Sequence, residues 1–359
     1  MLLMFAGKTP PPYYGTTIWY EIVKEHYLTQ REDVGYCEIG IHMPLDTIGE
    51  LSLRRVVMNV LAVMKYVSAL VWYRPKAVHI PVSQSVSGLM RDSLYIIVAA
   101  CMRRKVVVHL HGSVLDTVII NAPTLYRRYL LALLSNVSYG VVLSERFKSA
   151  LYNLGIKRCI VIRNGANYEL PQRRRSTDTV RILFLSNLQR SKGIELLLSS
   201  LSILQSDTTS WAVDVVGNWR DSETESNALR FVQENELPVT FHGPKYGHEK
   251  YQFYVDSDIF VFTPLEQEGH PWVINEALAA GLPIVATDRG MIEDAVQNGR
   301  NGFVIKDDKP LSIANSLDIL IQSKQARSEM GQVSRSVYLE SYTLRHMIAE
   351  IDKMVQLFL

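Results

Sequence analysis

The sequence predicts an α/β protein of two domains, each a doubly wound parallel sheet covered by helices. Short apolar segments alternate along the chain with stretches that carry apolar residues at helical spacing. Most short segments are apolar throughout rather than at every second position, which is typical of parallel strands buried on both faces. The alternation begins again after residue 180, and 359 residues suffice for two domains of ordinary size.

The first half contains five segments with the composition of buried strands. They are Leu2–Ala6, Ala77–Pro81, Lys105–Leu110, Tyr139–Leu143 and Cys159–Ile162. Apolar residues at helical spacing follow the first strand in Ile18–His26 and recur in Val56–Val71. This order of strands and helices predicts right-handed crossovers between parallel strands.

The second half repeats the pattern. Its predicted strands are Arg181–Leu185, Ala212–Val216, Thr240–His242, Ile259–Thr263 and Pro283–Ala286. Helical spacing occupies Ile194–Leu204 and Val273–Ala280, and the chain ends in an amphipathic helix, Tyr342–Phe358.

A polar segment separates the two halves. Asn164–Val180 has few apolar residues and includes Pro171 and three successive arginines, Arg173–Arg175, as in a linker. We therefore expect a first domain over 1–168, a second over 169–341 and a C-terminal helix over 342–359.

Charge is distributed unevenly along the chain. The formal net charge is only +2, which argues against a general nucleic-acid binder. Within residues 51–165, however, Lys and Arg outnumber Asp and Glu by 16 to 3, whereas in 166–359 the acidic residues outnumber the basic ones by 26 to 19. This asymmetry predicts an anionic partner for the first half.

Cysteine usage and the N-terminus predict a cytoplasmic protein. Cys37, Cys101 and Cys159 are odd in number and widely spaced, which favours a reducing compartment over disulfides or a cysteine zinc site. The N-terminal segment lacks the basic start and long apolar run of a signal peptide. The longest apolar stretch, Val56–Tyr73, is interrupted by Asn59, Lys65 and Ser68.

The most informative stretch is Phe260–Ile305. A predicted strand ends in a loop that contains Glu268, and a helix follows that carries Glu276 and ends at Gly281. Ligands of open α/β sheets bind at the carboxyl ends of strands, and a helix N-terminus there suits a phosphate. Carboxylates accept bonds from hydroxyl groups, so the two glutamates suit a sugar and a ribose; the alternative is that both are solvated surface residues.

This stretch resembles the donor-binding motif of glycosyltransferase family 4. The family pattern is E-G-x-P/G, four further residues, then E-A-x-A-x-G-x-P-V-V-A-T, and residues 268–287 here read EGHPWVINEALAAGLPIVAT. Family members are retaining nucleotide-sugar transferases with two Rossmann-like domains that face a cleft, the GT-B fold. The resemblance also implies that the C-terminal helix crosses back to the first domain.

The resemblance assigns roles in the second half. Glu268 would contact the donor sugar close to the reacting carbon, Glu276 would hold the ribose, and the backbone of Gly269, His270 and Pro271 would approach the sugar. The family's pyrophosphate motif G-R-L-x-x-x-K-G is matched by SNLQRSKG over 186–193. Lys192 matches the family lysine, but Asn187 replaces the arginine, and Arg190 is the candidate to supply the second positive charge.

The first half carries shorter matches. Gly15 follows the first strand and a Pro-rich loop, and it resembles the family glycine whose backbone approaches the donor. His111 ends a buried strand and matches the family histidine near O6 of the donor sugar. His109 is assigned a structural role, and a metal site at the pair is disfavoured because no third ligand is apparent. Asp256-Ser257-Asp258 resembles a D-x-D metal motif but precedes a buried strand, so we expect no metal.

The predicted function is therefore sugar transfer from a nucleotide diphosphate sugar to a glycan or lipid-linked saccharide, in bacterial surface polysaccharide biosynthesis. Retention without an identifiable carboxylate nucleophile favours front-face substitution, with no cofactor. The alternatives are a catalytically silent GT-B partner that binds a nucleotide sugar, or an epimerase or phosphorylase of the same fold.

The basic segment predicts where the acceptor lies. Three basic groups, Arg54-Arg55, Arg103–Lys105 and Arg127-Arg128, stand beside apolar helical stretches in the acceptor-side domain. We expect peripheral binding to the anionic inner face of the cytoplasmic membrane, with no nucleic-acid partner.

Overall fold

The chain divides into two compact units. The computed structural model describes residues 1–39, 53–112, 114–172, 178–204 and 209–359; the linker arginines Arg173–Arg175 and the side chains of 53–55 lie outside this description. The first unit comprises Met1–Ala166 and Leu344–Leu359, and the second comprises Asn167–Thr343. The domain boundary expected after residue 168 lies two residues after Ala166, where the N-terminal stretch of the first unit ends.

The first unit is built on a six-stranded parallel sheet in the order β2-β1-β3-β4-β5-β6. Its strands are β1 (Leu3–Gly7), β2 (Val34–Glu38), β3 (Ala77–Val82), β4 (Lys105–Leu110), β5 (Val137–Val142) and β6 (Cys159–Val161). Strand β1 is buried along its whole length, as expected for a central parallel strand.

Helices connect these strands. They are α1 (Gly15–Ile22), α2 (Leu53–Tyr73), α3 (Val86–Cys101), α4 (Leu115–Ile120), α5 (Thr124–Leu134) and α6 (Lys148–Asn153). Helix α1 begins three residues before the predicted Ile18–His26 and gives way at Val23 to a π-helical turn.

The second unit contains a second six-stranded parallel sheet in the order β12-β11-β10-β7-β8-β9. Its strands are β7 (Val180–Leu185), β8 (Trp211–Val216), β9 (Val239–Phe241), β10 (Ile259–Phe262), β11 (Ile284–Thr287) and β12 (Gly302–Ile305). Its helices are α7 (Ile194–Leu201), α8 (Ser222–Glu234), α9 (Gly247–Asp256), α10 (Trp272–Ala279), α11 (Ile292–Ala295), α12 (Pro310–Gln322) and α13 (Lys324–Ser341). The predicted α/β class with two parallel sheets is confirmed.

The last helix, α14 (Leu344–Gln356), belongs to the first unit. Glu350 accepts hydrogen bonds from the backbone N–H of Arg163 at 2.7 Å and from its guanidinium at 3.0 Å. Asp352 accepts from the Tyr27 hydroxyl and from Arg31, both at 2.7 Å. These contacts, together with buried Ile351, fasten α14 to the first unit.

Each sheet reverses its strand order at one point. In the first sheet the reversal lies between β1 and β3, and in the second it lies between β7 and β10. The loops that leave two such strands diverge and open a crevice at their carboxyl ends, where open α/β sheets bind ligands. The loops after β7 and β10 carry Lys192 and Glu268, respectively.

Candidate active site

The loop after β7 is held against the end of β10 by a glycine. Lys192 ends a single 3₁₀ turn, Arg190–Lys192, and Gly193 then takes φ +78° before α7. A Cβ atom on Gly193 would stand 1.7 Å from the Thr263 carbonyl oxygen. The Thr263 hydroxyl donates to the Gly193 carbonyl at 2.9 Å, and the Leu265 N–H donates to the Ser191 carbonyl at 2.9 Å. Only glycine permits this approach, which positions Lys192 beside the β10 loop.

Lys192 and Glu268 form an ion pair at the second sheet's reversal point. The Lys192 ammonium donates to Oε1 of Glu268, and both side chains are largely buried. Sequence analysis assigned the two residues to different parts of the donor, and the structure brings them into direct contact. Because removal from water strengthens attraction between opposite charges, the pair fixes both side chains in place.

A second glycine supports the Glu268 loop. Gly290 has φ +65°, and a Cβ atom on it would stand 1.8 Å from the Glu268 carbonyl oxygen. The segment after β11 therefore packs directly against the backbone that carries Glu268. Sequence analysis did not single out Gly290; its position in a D-R-G turn after a buried strand was the available signal.

Glu276 lies in the second turn of α10 and is buried. Its Oε1 accepts a 2.6 Å hydrogen bond from the ammonium of Lys250 on α9. Its Oε2 makes no hydrogen bond of ordinary geometry to the described residues, and the hydroxyl of buried Tyr254 lies near the carboxylate. Burial lowers the pKa of Lys250, but the Glu276 carboxylate and Tyr251 together raise it by more. The pKa of Lys250 therefore lies above its ordinary value. Sequence analysis missed Lys250, which lies 26 residues before its partner.

The segment between Glu268 and α10 presents backbone rather than side chains. The His270 ring is buried and packs against Tyr342, with ring centroids 4.9 Å apart. Pro271 takes the N-cap position of α10 without a side-chain hydrogen bond to the helix. The first N–H groups of α10 and its positive dipole end lie directly after Gly269, His270 and Pro271. Gly281 adopts φ +69° just after the helix, as predicted.

Asn187, which replaces the family arginine, and Arg190, the candidate to supply the missing charge, are both exposed. Asn187 lies in the loop after β7. The Arg190 side chain is 81% exposed, and its Nε lies 3.7 Å from Glu195 on α7. The structure therefore pairs Arg190 with Glu195, whereas Lys192 is the loop cation that contacts Glu268.

The first unit carries Gly15 at the start of α1. The loop before it is closed by Thr17, whose hydroxyl donates to the Pro12 carbonyl at 2.8 Å and accepts from the Tyr14 N–H at 3.1 Å. Gly15 itself is exposed at the first helical position, after the central strand β1. Its position at the strand's carboxyl end is the one predicted.

His111 follows β4 and stacks on His109, with ring centroids 3.9 Å apart. Neither ring nitrogen of His111 has a hydrogen-bond partner among the described residues. His109 Nδ1 lies 3.2 Å from His79 Nε2, and the Tyr20 hydroxyl lies 2.9 Å from His79 Nδ1. Burial lowers the pKa of all three imidazoles, that of His111 to about 3, so the rings are neutral at pH 7.

The second aspartate of the D-x-D sequence binds backbone. Asp258 Oδ2 accepts from the N–H of Arg181 at 2.9 Å, at the point where α9 leads into β10. This bond joins the starts of β7 and β10, whereas Lys192 and Glu268 follow the ends of those strands.

The two sheets and the charged loops at a strand reversal define a GT-B glycosyltransferase fold. Anabaena HepE, solved in complex with UDP, superposes with a TM-score of 0.78 and 17% identity over 99% of this chain and 100% of that one. Sucrose-phosphate synthase from Thermosynechococcus elongatus gives a TM-score of 0.75 and 16% identity over 99% of both chains. At these identities the likeness concerns the fold alone.

Residues 169–337, most of the second unit, match the family Glycosyl transferases group 1. Spore coat protein SA of Bacillus subtilis (strain 168) is 30% identical over 163 residues, which are 43% of this chain and 42% of the relative. The capsular polysaccharide biosynthesis glycosyltransferase CapM of Staphylococcus aureus is 27% identical over 184 residues, 51% of this chain and 47% of the relative. The matches thus span less than half the length of each relative.

Proposed function

We propose that the protein is a retaining hexosyltransferase that moves a sugar from a nucleotide diphosphate sugar to a glycan or lipid-linked saccharide. The observation that carries this proposal is the Lys192–Glu268 ion pair at the carboxyl ends of β7 and β10. It supplies one cation for a diphosphate and one carboxylate for sugar hydroxyls, beside the N-terminus of α10.

Lys192 and the start of α10 bind the diphosphate in this proposal. In the unliganded protein Glu268 neutralises Lys192, which limits the cost of holding a largely buried cation. When the diphosphate binds, Lys192 turns to the phosphate oxygens, and Glu268 becomes available to the sugar. As the bond between the sugar and the phosphate breaks, negative charge grows on the diphosphate, where Lys192 and the helix N–H groups stabilise it.

Glu276 and the loop backbone hold the rest of the donor. Glu276 Oε2 is buried and makes no hydrogen bond of ordinary geometry to the described residues, and a ribose hydroxyl would satisfy it. Lys250 holds the other oxygen and keeps the carboxylate oriented. Anabaena HepE has been solved with UDP and with UDP-glucose, which supports a nucleotide sugar as the class of donor.

His111 and Gly15 are the first unit's candidates for contacting the donor. The neutral His111 imidazole has no hydrogen-bond partner among the described residues, so it can accept one hydrogen bond and donate another, as a sugar hydroxyl requires. Gly15 is exposed and carries no side chain of its own, so a donor can approach its backbone closely.

The reaction is front-face substitution without a metal or other cofactor. The acceptor oxygen bonds to the anomeric carbon on the face from which the diphosphate departs, and the acceptor proton passes to the departing phosphate oxygen. Glu268 stabilises the sugar as it gains oxocarbenium character. Its carboxylate takes part through hydrogen bonds and charge, so no covalent sugar–enzyme bond forms.

The acceptor side is proposed from charge and from relatives. CapM of Staphylococcus aureus is named for capsular polysaccharide biosynthesis, which supports a surface polysaccharide as the product class. The basic first half favours a cytoplasmic enzyme that works at the anionic inner face of the membrane, on a lipid-linked acceptor.

The test is a thermal-shift screen of UDP-, GDP- and ADP-sugars, followed by a transfer assay with the sugar that binds. A ligand at 100 times its dissociation constant adds about 2.7 kcal/mol of stability. We expect one nucleotide class to raise the melting temperature and NMR of the product to show a retained anomeric configuration. Failure of every nucleotide sugar to shift the melt would overturn the proposal, and an inverted product would overturn the mechanism.

A further inference from the structure

Helix α2 exposes its apolar side chains. Of the residues the structure describes, Val56–Tyr73 is the segment long and apolar enough to cross a membrane, yet only 17% of it is buried. Ala62, Tyr66 and Leu70 form the buried stripe. The opposite side presents large exposed side chains at helical spacing: Val57, Val60, Leu61, Met64, Val71 and Trp72. Trp72 is 83% exposed.

Helices α3 and α5 carry matching exposed residues. On α3 they recur every three or four residues: Val86, Met90, Leu94 and Ile97. On α5 they are Leu125, Tyr129 and Leu131, and Leu125 is 82% exposed. We call the exposed apolar residues of these three helices the apolar face.

The three helices that carry the apolar face lie on one side of the first sheet. Helices α2, α3 and α5 connect β2 to β3, β3 to β4 and β4 to β5, and these crossovers all run in the same direction along the sheet. Right-handed crossovers in one direction place their helices on one face. Tyr66 on α2 packs edge-on against Tyr95 on α3, and the Tyr129 hydroxyl on α5 donates to Ser93 on α3 at 2.8 Å.

Charge points to the occupant. Over residues 53–134, eleven basic residues accompany only two acidic ones, Asp92 and Asp116. Asp92 is buried and pairs with Arg91. Exposed basic residues border the apolar helices: Arg74 follows Trp72 and Tyr73 at the end of α2, Arg103 and Lys105 follow α3, and Arg128 lies on α5. A broad apolar surface with an aromatic end and a basic border matches the interface of an anionic bilayer.

The buried stripe determines how α2 meets the bilayer. Tyr66 and Leu70 are fully buried, and the Tyr66 hydroxyl donates to the Tyr95 carbonyl at 3.3 Å. Inserting α2 across a membrane would remove these side chains from the core of the first unit. The helix therefore lies in the plane of the membrane surface, with only its exposed side in contact with lipid.

We propose that the apolar face is a membrane-docking surface that seats the first unit on an anionic phospholipid bilayer, with α2 parallel to the bilayer plane. This inference deepens the proposed function, since it specifies the surface that would bring the enzyme to a lipid-linked acceptor. The occupant is lipid rather than a second copy of the chain, because two copies would bring like-charged basic borders together.

The experiment uses the full chain and vesicles of phosphatidylcholine mixed with phosphatidylglycerol, without donor or acceptor. We expect cosedimentation at low salt, weaker binding at high salt, and loss of binding on pure phosphatidylcholine. The double variant Val60→Ser, Met64→Ser should weaken vesicle binding at least about tenfold, because two apolar side chains no longer enter the interface. The matched control, Leu229→Ser with Ile319→Ser, changes two exposed apolar residues of the second unit and should bind as the unaltered protein does.

Brominated lipids then locate α2. They should quench part of the tryptophan emission of the unaltered protein, and this quenching should be absent in Trp72→Phe. Absence of vesicle binding, equal binding by both double variants, or a lipid-free dimer dissociated by Val60→Ser, Met64→Ser would overturn the proposal. Binding of UDP-, GDP- and ADP-sugars is measured on the same samples without vesicles. A protein that binds a nucleotide sugar but not vesicles would reject the docking surface alone. A protein that binds vesicles but no nucleotide sugar would reject the proposed function alone.

Discussion

The Lys250 ammonium lies 2.6 Å from Oε1 of Glu276, so a cation from α9 neutralises the buried carboxylate on α10. The pair leaves Oε2 of Glu276 without a hydrogen bond of ordinary geometry in the described structure. In the proposed donor site, Lys250 would therefore be a positioning residue that orients the Glu276 carboxylate for a ribose hydroxyl.

Replacing Lys250 with methionine should cost stability and nucleotide affinity together. An ion pair broken on one side leaves a buried charge, and we expect about 2–4 kcal/mol of lost unfolding free energy in urea titration. Adding Glu276→Gln should restore most of the stability but not the nucleotide affinity. The control is Lys245→Met, which removes an exposed pair with Glu249 and should cost about 0–1 kcal/mol. Unchanged UDP-, GDP- and ADP-sugar binding in Lys250→Met would remove Lys250 from the site.

Gly290→Ala should impair sugar transfer through Glu268. The new methyl group would collide with the Glu268 carbonyl and displace the loop. Gly299→Ala is the matched control, because Gly299 has φ +75° with open space around its Cβ position. Both variants should lose about 1–2 kcal/mol from backbone strain, but only Gly290→Ala should also lower kcat/KM by about tenfold or more. Equal kinetic effects in the two variants would show that packing against Glu268 is unimportant.

Arg190→Ala should have a small effect on donor binding. The Arg190 side chain is mostly exposed and stands near Glu195, so we expect its loss to change the donor KM less than about threefold. Lys192→Met should change it far more. A comparable loss in both variants would mean that Arg190 does replace the family arginine absent at Asn187.

The buried histidines should make the protein sensitive to mild acid. Their pKa values are lowered in the folded state, so below pH 6.5 the unfolded chain binds more protons and stability falls as the pH falls toward about 3. Each histidine contributes up to about 1.4 kcal/mol per pH unit in that window. His111→Gln should reduce the slope of unfolding free energy against pH by the amount that corresponds to about one bound proton. His248→Gln, which changes a residue at the exposed start of α9, is the reference variant and should leave the slope unchanged.

If the unfolding free energy of His111→Gln had the same slope against pH as that of the unaltered protein, this account of the histidine cluster would be contradicted. Guanidinium chloride titrations at several pH values between 7 and 5 supply the measurement.

Sequence reasoning found the elements whose signal is local. A continuous apolar strand such as β10 is buried on both faces, so composition alone identifies it. Strand β2 was missed because its segment VGYCE includes glycine, tyrosine and glutamate, and only two of its five residues are buried. Helix α3 was missed because its exposed side is as apolar as its buried side, which removes the amphipathic period.

The site divides in the same way. Glu268, Glu276 and Lys192 are predicted donor-site residues because their motifs lie next to a strand end or a helix start. Lys250 and Gly290 were not predicted, because their roles depend on contacts between segments that only the fold brings together. The exposure of one side of α2 could not be predicted either, because an apolar helix has the same composition whether it packs in a core or lies against a membrane.

The most direct test of the central claim is calorimetric titration of the nucleoside diphosphate that the screen selects, into unaltered protein, Lys192→Met and Glu268→Gln. We expect Lys192→Met to weaken binding about ten- to a hundredfold, since it removes a charge-assisted contact. Glu268→Gln should bind at least as tightly as the unaltered protein, because Lys192 no longer has a competing carboxylate, yet it should abolish transfer. Diphosphate binding unchanged by Lys192→Met, or full transfer by Glu268→Gln, would contradict the assignment of this ion pair to the donor site.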